Sequence, residues 1–107
     1  MIAWGATLGD DGVDQGAEYV QIIGGPSAES HPGKAAYEQN CTACHGLDGA
    51  GNALLGAPRI NDDIWLYGGD LDTLKTTLRQ GRFGIMPAFD ARLDDFQIKL
   101  LVALLAR

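Results

Sequence analysis

Apolar residues near the end of the chain recur at the spacing of one face of an α-helix. They stand at positions i, i+3, i+4 and i+7, which line one face of a helix. These residues are Ile98, Leu101, Val102 and Leu105. The pattern predicts a C-terminal helix from about Leu93 to Ala106. Asp94 and Asp95 fall in its first turn, where carboxylates suit the positive end of the helix dipole.

Two other segments show helical periodicity, and no segment shows the alternation typical of a strand. One helix is predicted from Leu71 to Gln80, with leucines on one side and Gly81 as its C-terminal stop. Another is predicted from Lys34 to about Thr42. The Gly- and Ala-rich segment 46–59 is predicted to be a long irregular loop that wraps a bound group. The pattern therefore indicates an all-α protein with long loops.

The first 23 residues resemble the last 20 or so at a constant offset of 85 positions. The apolar face of the first copy, Val13, Gly16, Ala17 and Val20, corresponds to that of the C-terminal helix. The other corresponding pairs are Met1 and Met86, Ala3 and Ala88, Trp4 and Phe89, and Asp10 and Asp95. Shared amphipathic spacing alone would explain why the two helical segments look alike. The Met-x-Ala-aromatic sequence that precedes both of them favours a true repeat. We therefore expect the chain to begin inside an upstream domain, with 24–27 as a linker.

Composition narrows the class of protein. A chain of 107 residues with 46% hydrophobic and 21% charged residues is typical of one soluble globular domain. The net charge of −6 argues against nucleic acid as a partner, because binding to phosphates needs clustered cations. The longest strongly apolar run, 100–106, is too short to span a bilayer, and no export signal is visible. The 15 glycines suggest loops that approach something bulky.

The segment Cys41-Thr42-Ala43-Cys44-His45 has the C-x-x-C-H pattern of c-type haem attachment. Two thiols one helical turn apart can form thioethers to the two vinyl groups of one haem, and His45 then becomes the proximal iron ligand. A zinc site would need His31 as a fourth ligand at an unsuitable spacing. A thioredoxin-like pair would need a βαβ pattern, and a structural disulfide would leave the long loops unexplained. One covalent haem c is the prediction.

Met86 is the candidate for the sixth iron ligand. A thioether is a soft donor that favours ferrous iron, and His/Met ligation suits electron transfer. Pro87 would hold the backbone of a ligand-bearing loop. The alternative is a methionine that fills a gap in the core. His31 is a rival ligand, but its position beside Pro32 is more typical of a solvated loop histidine.

Other residues are predicted around the haem from what that group needs. The second ring nitrogen of His45 needs an acceptor, and the carbonyl of Pro58 is well placed for it. Candidate donors to the haem propionates are Arg59, Trp65, Tyr67 and Arg82, although both arginines could equally be surface charges. A set of apolar residues is interpreted as pocket wall or core, with core the safer interpretation for each. These are Ile60, Leu66, Leu74, Leu78, Phe83 and Ile85.

From about Gly33 to its end the sequence resembles class I cytochrome c. The matching features are Gly33 and Tyr37 ahead of the motif, Pro58 after it, and Met86 before the last helix. Segments 56–69 and 81–88 resemble, more narrowly, the second haem domain of the dihaem cytochrome c subunit of cbb3-type cytochrome oxidases. The resemblance implies a cytochrome c fold of three to five short helices around one haem in 28–107. Residues 1–27 would then be the tail helix and linker of a truncated first cytochrome domain.

The resemblance also implies a function. The domain is expected to transfer single electrons from soluble cytochromes towards the catalytic oxidase subunit, with other cytochromes and oxidase subunits as partners and no catalysis of its own. It would lie on the periplasmic side, membrane-anchored in the intact subunit and soluble as this fragment. Two alternatives remain open: a free-standing periplasmic electron shuttle, and a haem c enzyme or gas sensor with an open sixth site.

Overall fold

The computed structural model describes all 107 residues as helices and loops. The helices are α1 (Gly5–Ile22), α2 (Gly33–Asn40), α3 (Thr42–His45), α4 (Leu71–Gln80) and α5 (Asp95–Leu105), with a short 3₁₀ helix at Ala53–Leu55. No strand forms, and one isolated bridge joins Asn52 to Ala57. None of the helices is both long enough and apolar enough to cross a membrane. The all-α prediction is confirmed.

The predicted helices form close to their expected boundaries. Helix α4 has the predicted ends: the Asp70 carboxylate caps its start, and Gly81 ends it with φ at 70°. Helix α5 begins slightly later than predicted, because Asp94 is its N-cap. The Asp94 side chain accepts a hydrogen bond from the backbone of Gln97, and the Gln97 side chain accepts one from the backbone of Asp94. This reciprocal capping explains where the helix starts.

The helix predicted from Lys34 to Thr42 is divided in two. Helix α2 begins one residue earlier, at Gly33, and ends at Asn40. Cys41 lies at the junction, with φ at −114°, and the short helix α3 follows. The backbone N–H of Cys41 still donates to the Tyr37 carbonyl at 2.8 Å, so a helical hydrogen bond links the end of α2 to the residue before α3. The break places the cysteine motif on a separate turn.

Helix α1 packs across both α2 and α4. Its residues Val13 and Ala17 are fully buried, so the apolar face of the first copy is covered by the rest of the chain. Charge pairs border this contact: Lys75 Nζ lies 3.1 Å from Asp14 Oδ1, and Arg79 lies 3.7 Å from both Asp10 and Asp14. Helix α1 is thus an integral part of the packed region.

A small aromatic core lies where α1 crosses α2. The rings of Tyr19 and Tyr37 are 5.2 Å apart between centroids, and Ala28 of the connecting segment is buried beside them. Gly33 allows the crossing, because a Cβ there would lie 2.9 Å from the Cβ of Tyr19 and closer still to the Gln15 carbonyl. Segment 24–27, predicted to be a linker, lies in the short connection that reverses the chain between α1 and α2.

The C-terminal helix α5 extends away from this packed region. Its side chains are exposed except for the half-buried Ile98. The radius of gyration is 17.0 Å, against about 13 Å for a compact domain of this length. The apolar positions predicted for this helix are present, and apart from Ile98 they are exposed.

Candidate functional site

Helix α3 presents the two cysteines and the histidine of the motif. The backbone N–H groups of Cys44 and His45 both donate to the Cys41 carbonyl, at 3.2 and 2.9 Å, which places the two cysteines one turn apart. Gly46, with φ at 79°, ends the helix. Cys41 is partly buried and Cys44 is exposed. The spacing is the one that a C-x-x-C-H motif needs to reach two substituents of one haem.

The imidazole of His45 is held by the loop that follows the motif. Its Nδ1 lies 2.9 Å from the Pro58 carbonyl oxygen. A carbonyl can only accept, so Nδ1 carries the proton and donates it to Pro58. The lone pair of Nε2 is then free to bind a metal, and the ring orientation is fixed. This is the contact that the sequence predicted between these two residues.

Backbone hydrogen bonds return the loop to the helix so that Pro58 can reach His45. The Gly51 N–H donates to the His45 carbonyl at 2.8 Å, and the Ile60 N–H donates to the Gly49 carbonyl at 2.8 Å. Gly51 has φ at 81°, and a Cβ there would lie only 2.7 Å from the Ala57 carbonyl oxygen. Glycine is required at this position because two backbone segments pass in direct contact.

Tyr37 ties helix α2 to the motif. Its hydroxyl donates to the Gly46 carbonyl at 2.7 Å, directly after His45. Burial of the ring raises the pKa of Tyr37 to about 12. Burial also raises the pKa of the Cys41 thiol, with a further contribution from Cys44. Tyr37 was assigned from the sequence only as part of the family resemblance, and no sequence signal indicated this hydrogen bond of its hydroxyl.

Met86 lies on the loop between α4 and α5. Its side chain is 87% exposed, and no backbone hydrogen bond joins 83–88 to the rest of the chain. The other methionine, Met1, is paired with Arg82: the Arg82 N–H donates to the Met1 carbonyl at 2.9 Å, and the Met1 nitrogen donates to the Arg82 carbonyl at 2.7 Å. Met86 as the sixth ligand stays a prediction.

The structure groups two of the four candidate propionate donors. The Arg82 guanidinium lies 4.3 Å from the centre of the Tyr67 ring, and its Nε donates to the Thr77 hydroxyl at 3.0 Å. Arg59 is exposed beside Pro58. Trp65 instead covers Gly69 and lines a groove with the end of α1. Thr77, which orients Arg82, was not identified from the sequence.

The core interpretation holds for only part of the apolar set. Leu74 is buried, and Ile60 and Leu78 are half-buried. It is wrong for Leu66, Phe83 and Ile85, which are between 76% and 90% exposed. These three residues lie on loops without regular structure, where the chain has no helix face to pack against them. Their exposure leaves pocket wall as the remaining interpretation.

The residues present fit a haem. A large, flat, apolar group needs apolar side chains to cover it, and the loops of this chain carry exposed apolar side chains that no other part of the chain covers; these are Leu54, Leu55, Ile64, Leu66, Phe83, Ile85 and Met86. The donor set also fits, since a thiol pair and an imidazole with a free Nε2 are the groups that covalent haem c uses.

His31 is less exposed than its loop position suggests. Its side chain is 17% exposed. Its Nδ1 accepts a hydrogen bond from the Gly33 N–H at 3.0 Å, while Nε2 lies 3.6 Å from a Glu18 carboxylate oxygen. The ring also packs against Tyr19. Both ring nitrogens therefore have protein neighbours at the start of α2, so the expectation of a solvated histidine is wrong.

The fold and this motif define a c-type cytochrome domain. Comparison with known proteins specifies it further: residues 28–105 match the family described as cytochrome C oxidase, cbb3-type, subunit III. The chain is 43% identical to the cbb3-type cytochrome c oxidase subunit FixP of Bradyrhizobium diazoefficiens over 104 residues, which is 88% of this chain and 36% of that protein. The chain belongs to this family of oxidase subunits, whose cytochrome c domains carry covalently bound haem c.

Other relatives have similar names and show similar coverage. Identity to subunit CcoP of Cereibacter sphaeroides is 44% over 90 residues, covering 81% of this chain and 31% of that protein. Identity to CcoP of Azospirillum sp. strain B510 is 44% over 112 residues, covering 94% of this chain and 38% of that protein. The chain spans about a third of the length of the curated relatives that it matches.

Proposed function

We propose that this domain is a one-electron relay within a cbb3-type oxidase, with haem c attached through Cys41 and Cys44. Its axial ligands are His45 and Met86. The proposal is carried by the hydrogen bond from His45 to Pro58, found in a chain of this family. Bound haem c supplies a one-electron ferric/ferrous couple. The domain catalyses no reaction on a substrate of its own.

The chain's own residues would do three things. Pro58 holds the His45 proton at Nδ1, which keeps Nε2 available and fixes the plane of the ring. Tyr37 fixes the backbone after the motif through Gly46. Arg82 is held by Thr77 and Tyr67, and its charge suits a carboxylate such as a haem propionate.

The partners we propose are other cytochromes and the oxidase subunits, met on the periplasmic side of the membrane. The relatives' names support an oxidase complex. The net charge of −6 suits docking to a basic surface, and such an association weakens as salt is added. Electron transfer to the partner should therefore slow with ionic strength.

We also propose the domain division 1–27 and 28–107, with the first part derived from the end of a preceding cytochrome domain. The repeat supports it, because Trp4 and Phe89 begin the same turn: the carbonyl of each accepts hydrogen bonds from the N–H groups three and four residues later. A second C-x-x-C-H motif upstream in the complete reading frame is expected. Its absence there would favour a free-standing shuttle.

Axial ligation is tested by the absorption spectrum of the oxidised, haem-loaded chain. We expect the weak long-wavelength band of methionine sulfur bound to ferric iron, lost in Met86→Ala. Met1→Ala is the matched control, because Met1 is the other of the two methionines in the chain. If the parent lacks the band and its reduced form binds carbon monoxide readily, the relay proposal fails and a ligand-binding haem protein takes its place.

A further inference from the structure

Two grooves lie side by side where helix α1 ends. The first has a volume of about 560 Å³ and runs between the last turn of α1 and the loop that follows Pro58. The second has a volume of about 400 Å³ and runs between the connection 24–29 and the residues directly after the motif. Ile23 lines both grooves. We call them together the Ile23 surface; its main apolar residues are Tyr19, Ile22, Ile23, Leu47, Ile60 and Trp65.

Contacts between distant parts of the chain hold this surface in shape. A Cβ at Gly49 would lie 3.0 Å from Ile23 Cδ1 and 3.0 Å from Ile60 Cγ1, so these two side chains pack directly over the Gly49 backbone. Gln21 Nε2 donates to the Gly69 carbonyl at 3.0 Å and ties the last turn of α1 to the segment before α4. The walls of the grooves are therefore formed before any partner binds.

Every charged side chain that lines the Ile23 surface is acidic. Asp62 and Asp63 line the first groove. Asp48 and Glu29 line the second, and no Lys, Arg or His lines either one. Glu29 is neutralised by Lys34, whose Nζ lies 2.6 Å from its carboxylate. The three aspartates form no ion pair within the chain, so their charges are available to a partner.

The Ile23 surface is distinct from the residues that cover the haem. None of the exposed apolar loop side chains that we assign to the haem lines either groove. The surface is nevertheless continuous with the loop that holds the proximal histidine: Asn61 Nδ2 donates to the Asp48 carbonyl at 2.8 Å, and the Gly51 N–H donates to the His45 carbonyl at 2.8 Å. A partner bound here would contact this loop and leave the haem-covering residues free.

We propose that the Ile23 surface is a docking site for a protein partner, bound through a segment that carries lysines or arginines beside an apolar side chain. The apolar side chain lies in the grooves against Ile23, and the cations pair with Asp48, Asp62 and Asp63. Charge complementarity carries this choice of partner. A purely apolar segment would desolvate the three carboxylates without compensating them. The inference rests on the proposed function for the expectation of a basic partner, and it adds the face that this partner meets.

The test is an NMR titration of the isotope-labelled, haem-loaded chain with a short synthetic peptide of alternating lysine and leucine, at low ionic strength. We expect changes in backbone chemical shift at 20–23, 47–49 and 60–65. A second peptide, with serine in place of leucine, has the same charge but nothing to fill the grooves. We expect it to bind about fivefold more weakly.

Paired variants test the role of the carboxylates. Asp62→Asn with Asp63→Asn should weaken binding of the lysine–leucine peptide by about fivefold. Asparagine keeps the side-chain oxygen that accepts from the Ile64 N–H, so the loop is preserved. The matched control is Asp11→Asn with Asp90→Asn, which removes the same charge from two exposed aspartates outside both grooves and should bind like the parent.

Three results would overturn the proposal: equal weakening by the two paired variants, equal affinity for the two peptides, or shift changes confined to 83–94. If the Asp62 and Asp63 pair fails to fold, Asp63→Asn alone should still weaken binding by about twofold, and an unchanged affinity would count against the proposal. None of these results alters the methionine-to-iron band that tests axial ligation. Failure of this docking site is therefore distinguishable from failure of the relay.

Discussion

Removal of the Tyr37 hydroxyl tests how the motif is anchored. Tyr37 is 2% exposed, and its hydroxyl donates to the Gly46 carbonyl at 2.7 Å. The only other donor to that carbonyl is the Gly49 N–H, at a long 3.4 Å. A buried hydrogen bond contributes about 1 kcal/mol, and leaving its acceptor poorly paired adds to the loss. We expect Tyr37→Phe to lower the free energy of unfolding by about 1–2 kcal/mol at neutral pH.

The pH dependence gives this prediction a second readout. Burial raises the pKa of Tyr37 to about 12 from an unfolded value of 10.0. The folded parent therefore holds a proton that the unfolded chain releases, so its stability is full below pH 10 and falls as the pH rises towards 12. By pH 11 the loss is about 1.4 kcal/mol. The difference in the free energy of unfolding between the parent and Tyr37→Phe should therefore almost vanish by that pH.

The assay is guanidinium unfolding of the haem-loaded chain, followed by far-UV circular dichroism at pH 7, 9, 10 and 11. Lysines also titrate in this range, so the measured quantity is the difference between parent and variant at each pH. Tyr67→Phe is the control, because Tyr67 is nearly half exposed and its hydroxyl has no hydrogen-bond partner in the chain. The reasoning is refuted if the difference in the free energy of unfolding between parent and Tyr37→Phe stays constant from pH 7 to 11. It is also refuted if no difference is found at pH 7.

Three further predictions follow from local geometry. Gly33→Ala should destabilise the fold by about 2–3 kcal/mol in a denaturant titration, because its Cβ would meet Tyr19 across the helix crossing, while Gly84→Ala, in open space, should be close to neutral; equal effects would contradict this packing. Asp94→Ala should lower amide protection at the start of α5 by about fivefold through loss of its capping box, and unchanged protection would mean that the cap is not formed. Hydrogen bonds from Thr73 hold the pKa of Asp70 below its usual value, so the α4 cap should be retained as the pH falls through 4 and be lost only below the lowered pKa; an NMR titration with an ordinary midpoint would contradict this.

Local patterns predicted the local structure. Helix α4 forms between the residues that its leucine spacing and terminal glycine indicate, because each of these signals acts within one or two turns. The contact of His45 with Pro58 was predictable because a metal-binding imidazole needs an acceptor at its second nitrogen and a proline turn follows at a suitable distance. The exposure of Leu66, Phe83 and Ile85 was not predictable, because an apolar side chain does not encode whether the chain folds over it.

The amino-acid sequence by itself determined the helices, the motif of Cys41, Cys44 and His45, and the presence of two similar helical units. Only the tertiary structure decided which unit covers α2 and α4. The apolar spacing is shared by both units, so it cannot choose between them. The packing of α1 involves contacts between residues distant in the chain, such as the ion pair of Asp14 with Lys75 and the close approach of Gly33 to Tyr19. These contacts exist only once the helices are packed together.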